Sequence, residues 1–185
     1  MINKRLQYGA TSKVLHWTVV ALLILQFPIG WLMPDIKRGA TPGAAMTLHI
    51  SIGILLLILI AVRFVWRLTH PVAAEKSLPQ WQRVAAEGVH WLLYGLIFAT
   101  TMSGWFFASA RGWAISWFYV VPLPMLMSGD PTIDQDLGRY HHNLETALII
   151  LVGAHVLAAL VHYFYYRDRI LHRMLPLLAP DKAGQ

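Results

Sequence analysis

The chain of 185 residues is 57% hydrophobic and only 13% charged, whereas soluble globular chains carry about 25% charged residues; an ordinary soluble domain and a disordered chain are both excluded. A net charge of +6 on so few ionisable groups reads as loop charge on a membrane protein and not as a nucleic-acid-binding surface. No cysteine is present, which excludes disulfides, thiolate metal sites, iron–sulfur clusters and covalently attached c-type haem, and leaves nine histidines to be explained.

A hydrocarbon core of about 30 Å needs roughly 20 mostly apolar helical residues. Four segments qualify, at about 14–33, 44–66, 84–108 and 143–166. The first takes Ser12 as its cap and ends at Pro34-Asp35. It is too long for a signal peptide and carries Gln26 and Pro28. Thr41-Pro42 opens the second, which stops before His70-Pro71. Pro79 precedes the third, and Gly129-Asp130-Pro131 breaks the long loop before the fourth. Within that loop the aromatic stretch Trp113 to Tyr119 is expected on the membrane interface. The fold class is therefore all-α: an integral membrane four-helix bundle, with residues 1–185 forming one domain.

Basic residues set the expected direction. The N-terminus, second loop and tail hold Lys4, Arg5, Lys13, Arg63, Arg67, Lys76, Arg83, Arg167, Arg169, Arg173 and Lys182. The first and third loops hold only Lys37, Arg38, Arg111 and Arg139. Both termini are thus expected in the cytoplasm of a bacterial inner membrane.

Ionisable residues inside spans are costly and usually functional. His141 and His155 are fourteen residues apart, about 40° short of four full turns, so they leave one helix face roughly 21 Å apart along the axis. His142 is a second imidazole beside His141 but lies about 140° from His155 in phase. His162 shares the face of His155 and is its rival. His16 opens the first span and His49 opens the second, which runs the other way. The topology therefore gives two levels of two imidazoles: His16 with His155 inside, His49 with His141 outside. Two facing imidazoles in a helix bundle can hold an iron porphyrin, here of the non-covalent b type. Zinc wants three or four converging ligands and fits less well. A non-redox metal or proton transporter built on the same histidines is the alternative.

The residues Leu15-His16-Trp17, Leu48-His49-Ile50-Ser51-Ile52-Gly53, Arg63 to Arg67 with Pro71, His90, the pair His141/His155, Leu157 to Tyr163, and Leu171-His172-Arg173-Met174-Leu175-Pro176 resemble the bacterial cytochrome b561 family over nearly the whole chain. The resemblance implies a four-helix bundle with two b haems, the inner on His16 and His155 and the outer on His49 and His141. It reaches to members that oxidise superoxide outside and reduce ubiquinone. It departs at Tyr140-His141-His142-Asn143, where a close relative shows Trp-His-Glu.

On that reading Arg111 and Arg139, with Lys37 and Arg38, are candidates for steering superoxide, and Glu87, His90 and His162 for a proton-exchanging quinone pocket. Gly53, Gly95, Gly104 and Gly153 could admit a flat porphyrin. His70 and His172 are expected to be solvated, and Met125 and Met127 are set aside as ligands by their loop placement. The expected activity is a superoxide:ubiquinone oxidoreductase, with an electron-relay membrane subunit for a partner dehydrogenase as the alternative.

Overall fold

A computed structural model of the chain describes residues 8–72, 78–168 and 170–175. Four long helices form it: α1 (Ala10–Leu32), α2 (Ala44–Thr69), α3 (Gln80–Ala110) and α4 (Asp134–Val161). A two-stranded antiparallel hairpin, β1 (Ser116–Trp117) and β2 (Val121–Pro122), lies between α3 and α4. α4 runs on as a π-helical turn, His162–Tyr166, and a 3₁₀ turn follows at Leu171–Arg173. All four helices are long and apolar enough to cross a membrane.

Helix ends differ from the expected ones for identifiable reasons. α1 begins at Ala10 behind Gly9, so Ser12 lies within it; its hydroxyl instead accepts a hydrogen bond from Trp66 Nε1 at 3.1 Å. α2 begins behind Gly43 and not at Thr41-Pro42. α4 begins at Asp134, one helical stretch ahead of the apolar run. Asp134 and Asp136 occupy its first turn, where carboxylates favour the helix dipole. His141 is therefore two turns inside α4.

The core joins all four helices through Val19, Leu23, Ile52, Leu56, Ile60, Tyr94, Ile97 and Leu148. α1 packs on α2, α2 on α3, and α3 on α4, whereas α4 stands off α1 and α2. Outward positions such as Ile24, Leu25, Leu92, Ile150 and Leu157 are more than half exposed. So wide an apolar surface would be an aggregation liability in water and is matched by lipid.

At one end, a second cluster of Met46, Ala108, Trp113 and Ile115 closes the bundle. The aromatic loop thus divides: Trp113 and Ile115 are buried, while Phe118, Tyr119, Val120 and Val121 are exposed at the hairpin tip. Phe118 and Tyr119 have φ of 47° and 62° and sit inside a turn closed by the Val120 N–H on the Trp117 carbonyl, in a three-residue loop between the strands; this is left-handed backbone that bulky side chains rarely adopt. Ser51, fully buried in α2, holds the hairpin down. Its hydroxyl accepts from Phe118 N–H at 2.8 Å, and its carbonyl accepts from Trp117 Nε1 at 3.2 Å. At the other end, Trp17 Nε1 donates to the Met174 carbonyl at 2.8 Å, folding the chain after α4 back onto the start of α1.

Candidate functional site

α4 presents His141 and His155 across the gap it leaves toward α1 and α2. His155 faces His16 of α1, with ring centroids 6.4 Å apart. His141 faces His49 of α2 at 6.3 Å. His142, next in sequence, turns away: its side chain is 73% exposed and reaches Glu145 one turn on, Nδ1 to Oε2 3.5 Å. The His49 end is enclosed by residues of all four helices. Gln26 of α1 donates from Nε2 to the His49 carbonyl at 2.9 Å. The Thr100 carbonyl, 3.0 Å from His141 Nδ1, accepts that nitrogen's proton, with Ser103 Oγ also at 3.1 Å. The partner at Nδ1 leaves His141 Nε2 with the lone pair, as a metal-binding imidazole requires.

The spacing suits one iron between each pair. An imidazole nitrogen binds a metal at about 2 Å, with the ring centre roughly 1 Å behind it. Two rings on opposite sides of one metal atom therefore have centroids about 6 Å apart. No cluster of three or more His, Asp or Glu suited to a bare ion occurs among the described residues. Two glycines flank the His49 end: a Cβ on Gly104 would stand 2.8 Å from His141 Cε1, and one on Gly30 would stand 3.0 Å from His49 Cε1. Only a bare backbone lets the rings lie there. His49 Nδ1, Gln26 Oε1 and Thr100 Oγ1 are buried there without a hydrogen-bond partner among the described residues. The residues present fit a b haem.

Residues 7–177 match the family described as prokaryotic cytochrome b561. The cytochrome b561 homolog 2 of Escherichia coli (strain K12) is 31% identical over 177 residues, 95% of this chain and 94% of the relative. The chain belongs to the prokaryotic cytochrome b561 family. A probable superoxide oxidase, CybB, of Yersinia pestis is 29% identical over 92% of this chain and 96% of its own length. The cytochrome b562 of Cereibacter sphaeroides is 26% identical over 91% and 94%. This chain is thus a haem b-binding electron-transfer cytochrome of the membrane.

In this cytochrome the other residues singled out from sequence are spread more widely than expected. Arg111 is not a free loop cation. Its Nη1 lies 3.4 Å from the buried Asp134 carboxylate, its Nη2 donates to the Ile36 carbonyl at 2.7 Å, and it lies over the rings of Phe107 and Trp113. Arg38 shares Asp134 at 2.8 Å. Asp130 lies within electrostatic reach of Arg38 as well, so two guanidiniums and two carboxylates gather here. Arg139 pairs with Asp136 on its own helix at 2.8 Å.

Glu87, His90 and His162 do not line one pocket. Glu87 is exposed and lines a polar cavity with Arg63, Arg67, Trp91 and Tyr94. His90 packs edge-on against His155 at 5.3 Å and donates from Nδ1 to the Ala86 carbonyl. His162 donates from Nδ1 to the Asp168 carboxylate and lies beside Tyr166. Of the four glycines named from sequence, Gly104 touches a site imidazole, Gly53 faces Gln26, and Gly95 and Gly153 face open space. Sequence reasoning missed Gly30, Gln26 and Glu145. Gln26 carried a signal, as a lone amide in an apolar span.

Proposed function

We propose that this cytochrome oxidises superoxide at the His49 end, conducts single electrons along the bundle and reduces ubiquinone at the His16 end. The observation that carries this reading is the arrangement of two imidazole pairs at two levels of one bundle. They are fourteen residues apart on α4, roughly 21 Å of helix. His16 and His155 would hold one b haem and His49 and His141 the other; each haem, when bound, supplies a one-electron centre. The 29% identity to a probable superoxide oxidase supports the choice of donor.

The stoichiometry closes simply. Each superoxide gives up one electron and leaves as dioxygen; ubiquinone takes two electrons and two protons to become ubiquinol. Two superoxide ions are consumed per quinone. At the entry end, Arg38 and Arg111 around Asp134, with the neighbouring Lys37, form a rim whose cations would draw a small anion. Asp134 precedes His141 by seven residues, placing this rim about 10 Å beyond the imidazole level. At the exit end, Glu87 at the mouth of the polar cavity and the hydrogen-bonded pair His162 and Asp168 are groups through which a quinone could exchange protons, and His90 packs on His155. The basic residues favour this exit end on the cytoplasmic side of the inner membrane.

Stopped-flow spectroscopy tests the reading. Superoxide mixed with oxidised cytochrome should convert the haem spectrum to that of the reduced form, and added ubiquinone should restore the oxidised spectrum with no second protein. Reduction that requires a dehydrogenase partner would favour a relay subunit.

A further inference from the structure

Arg63 sits where its present hydrogen bond cannot coexist with iron on His16. Its Nη1 donates to His16 Nδ1 at 2.7 Å, and its Nε donates to the Tyr94 hydroxyl at 3.1 Å. An imidazole bound to a metal through Nε2 keeps its proton on Nδ1 and so has nothing to accept with. Iron on His16 therefore frees one edge of the guanidinium, while Tyr94, itself buried, keeps the group tethered through its hydroxyl and its ring face at 5.8 Å. One helical turn on, Arg67 lies over Trp91 at 5.6 Å. Neither arginine forms an ion pair with a carboxylate among the described residues. Both line the same polar cavity of about 280 Å³ at the His16 end. Glu87 lines it too, exposed and bridged to neither, so the described lining of the cavity has a net positive charge. A half-buried guanidinium without an anion is expensive, and one that has lost an acceptor is more so.

We infer that Arg63 and Arg67 form a carboxylate clamp for the porphyrin held at His16 and His155, receiving its two propionate groups in the polar cavity. This rests on the two-centre reading given above. The ligand chemistry fits: a porphyrin of the b type brings an apolar macrocycle for the bundle interior and two carboxylates for its edge. Guanidinium is also the side chain that pairs carboxylates in bidentate fashion. The clamp would fix which edge of the ring faces the bundle end.

The test uses the full-length His49→Ala protein in nanodiscs, stripped of haem, so that only the His16 end can load. Its affinities for haem b and for the haem b dimethyl ester, which lacks both charges, are compared by optical titration. The parent should bind the free acid roughly tenfold or more tightly than the ester. Arg63→Gln with Arg67→Gln should abolish that preference by weakening the acid alone, and Arg63→Lys should restore part of it. Equal binding of acid and ester by the unsubstituted arginines overturns the clamp. So does equal binding in which loading depends on phosphatidylglycerol in the disc, which would place a lipid phosphate in the cavity. A His49→Ala protein that takes up no haem overturns the two-centre reading and the clamp with it.

Discussion

At the level of single residues, the rings of His141 and His142 face different surroundings. His141 points into the gap toward His49, and His142 is mostly exposed. His141→Ala should therefore remove one haem, and His142→Ala should leave the haem content of the parent, as read by pyridine haemochrome assay. The glycines make a sharper prediction. Gly104→Ala places a methyl 2.8 Å from His141 Cε1, closer than packing tolerates, so the ring or α3 must move. Overpacking of this kind costs about 1–3 kcal/mol, and haem should be lost from the His49 end first. Gly153→Ala meets nothing within 4 Å and serves as the control; haem loss there as well would remove the steric explanation. The phase of His141 and His155 on one helix was legible from spacing alone, because a helix converts residue count into angle. Gly30 was not legible. Its role depends on how α1 rotates against α2, which no local pattern encodes, and glycine is common in membrane helices for other reasons.

At the level of elements, the helices follow from hydropathy, but their ends do not. The polar first turns of α4 fall outside any apolar window although Asp134, Asp136 and the Arg38 and Arg111 partners stabilise them. The hairpin was equally hidden: Phe118 and Tyr119 at positive φ are residues that turn rules would not choose. Tertiary contacts decide the conformation there, through Ser51. Ser51→Ala leaves the Phe118 N–H without its acceptor, and an unsatisfied donor costs about 1–3 kcal/mol. A lower melting temperature is expected, with faster amide exchange confined to the hairpin and the neighbouring start of α2. Unchanged exchange at Phe118 would mean that the hairpin is held by burial of Trp113 and Ile115 instead.

For the molecule as a whole, charge is arranged at both ends of the bundle, and its detail was not readable from sequence. Counting cations put Arg111 and Arg139 forward for steering. In the fold Arg111 is bound into the loop by Asp134, Ile36 and two aromatic rings, and Arg139 is paired with Asp136. Arg111 is a poor probe, since its loss would disturb the loop as well as the field. Lys37→Gln with Arg38→Gln is the better one. That variant should slow reduction by superoxide at low ionic strength, with a difference that fades as salt shortens the Debye length from about 30 Å to 8 Å. A rate equal to that of the parent at low salt would remove steering from the account and leave electron transfer intact.

The central claim is that two b haems are stacked in one chain, each between two imidazoles. Haem stoichiometry tests it most directly, measured by pyridine haemochrome against quantitative amino-acid analysis, in the parent and in the His16→Ala and His49→Ala variants. The account predicts close to two haems per chain in the parent and close to one in each variant, with different reduction potentials for the haem that remains. A parent value near one, or two variants that retain the same haem, would contradict it.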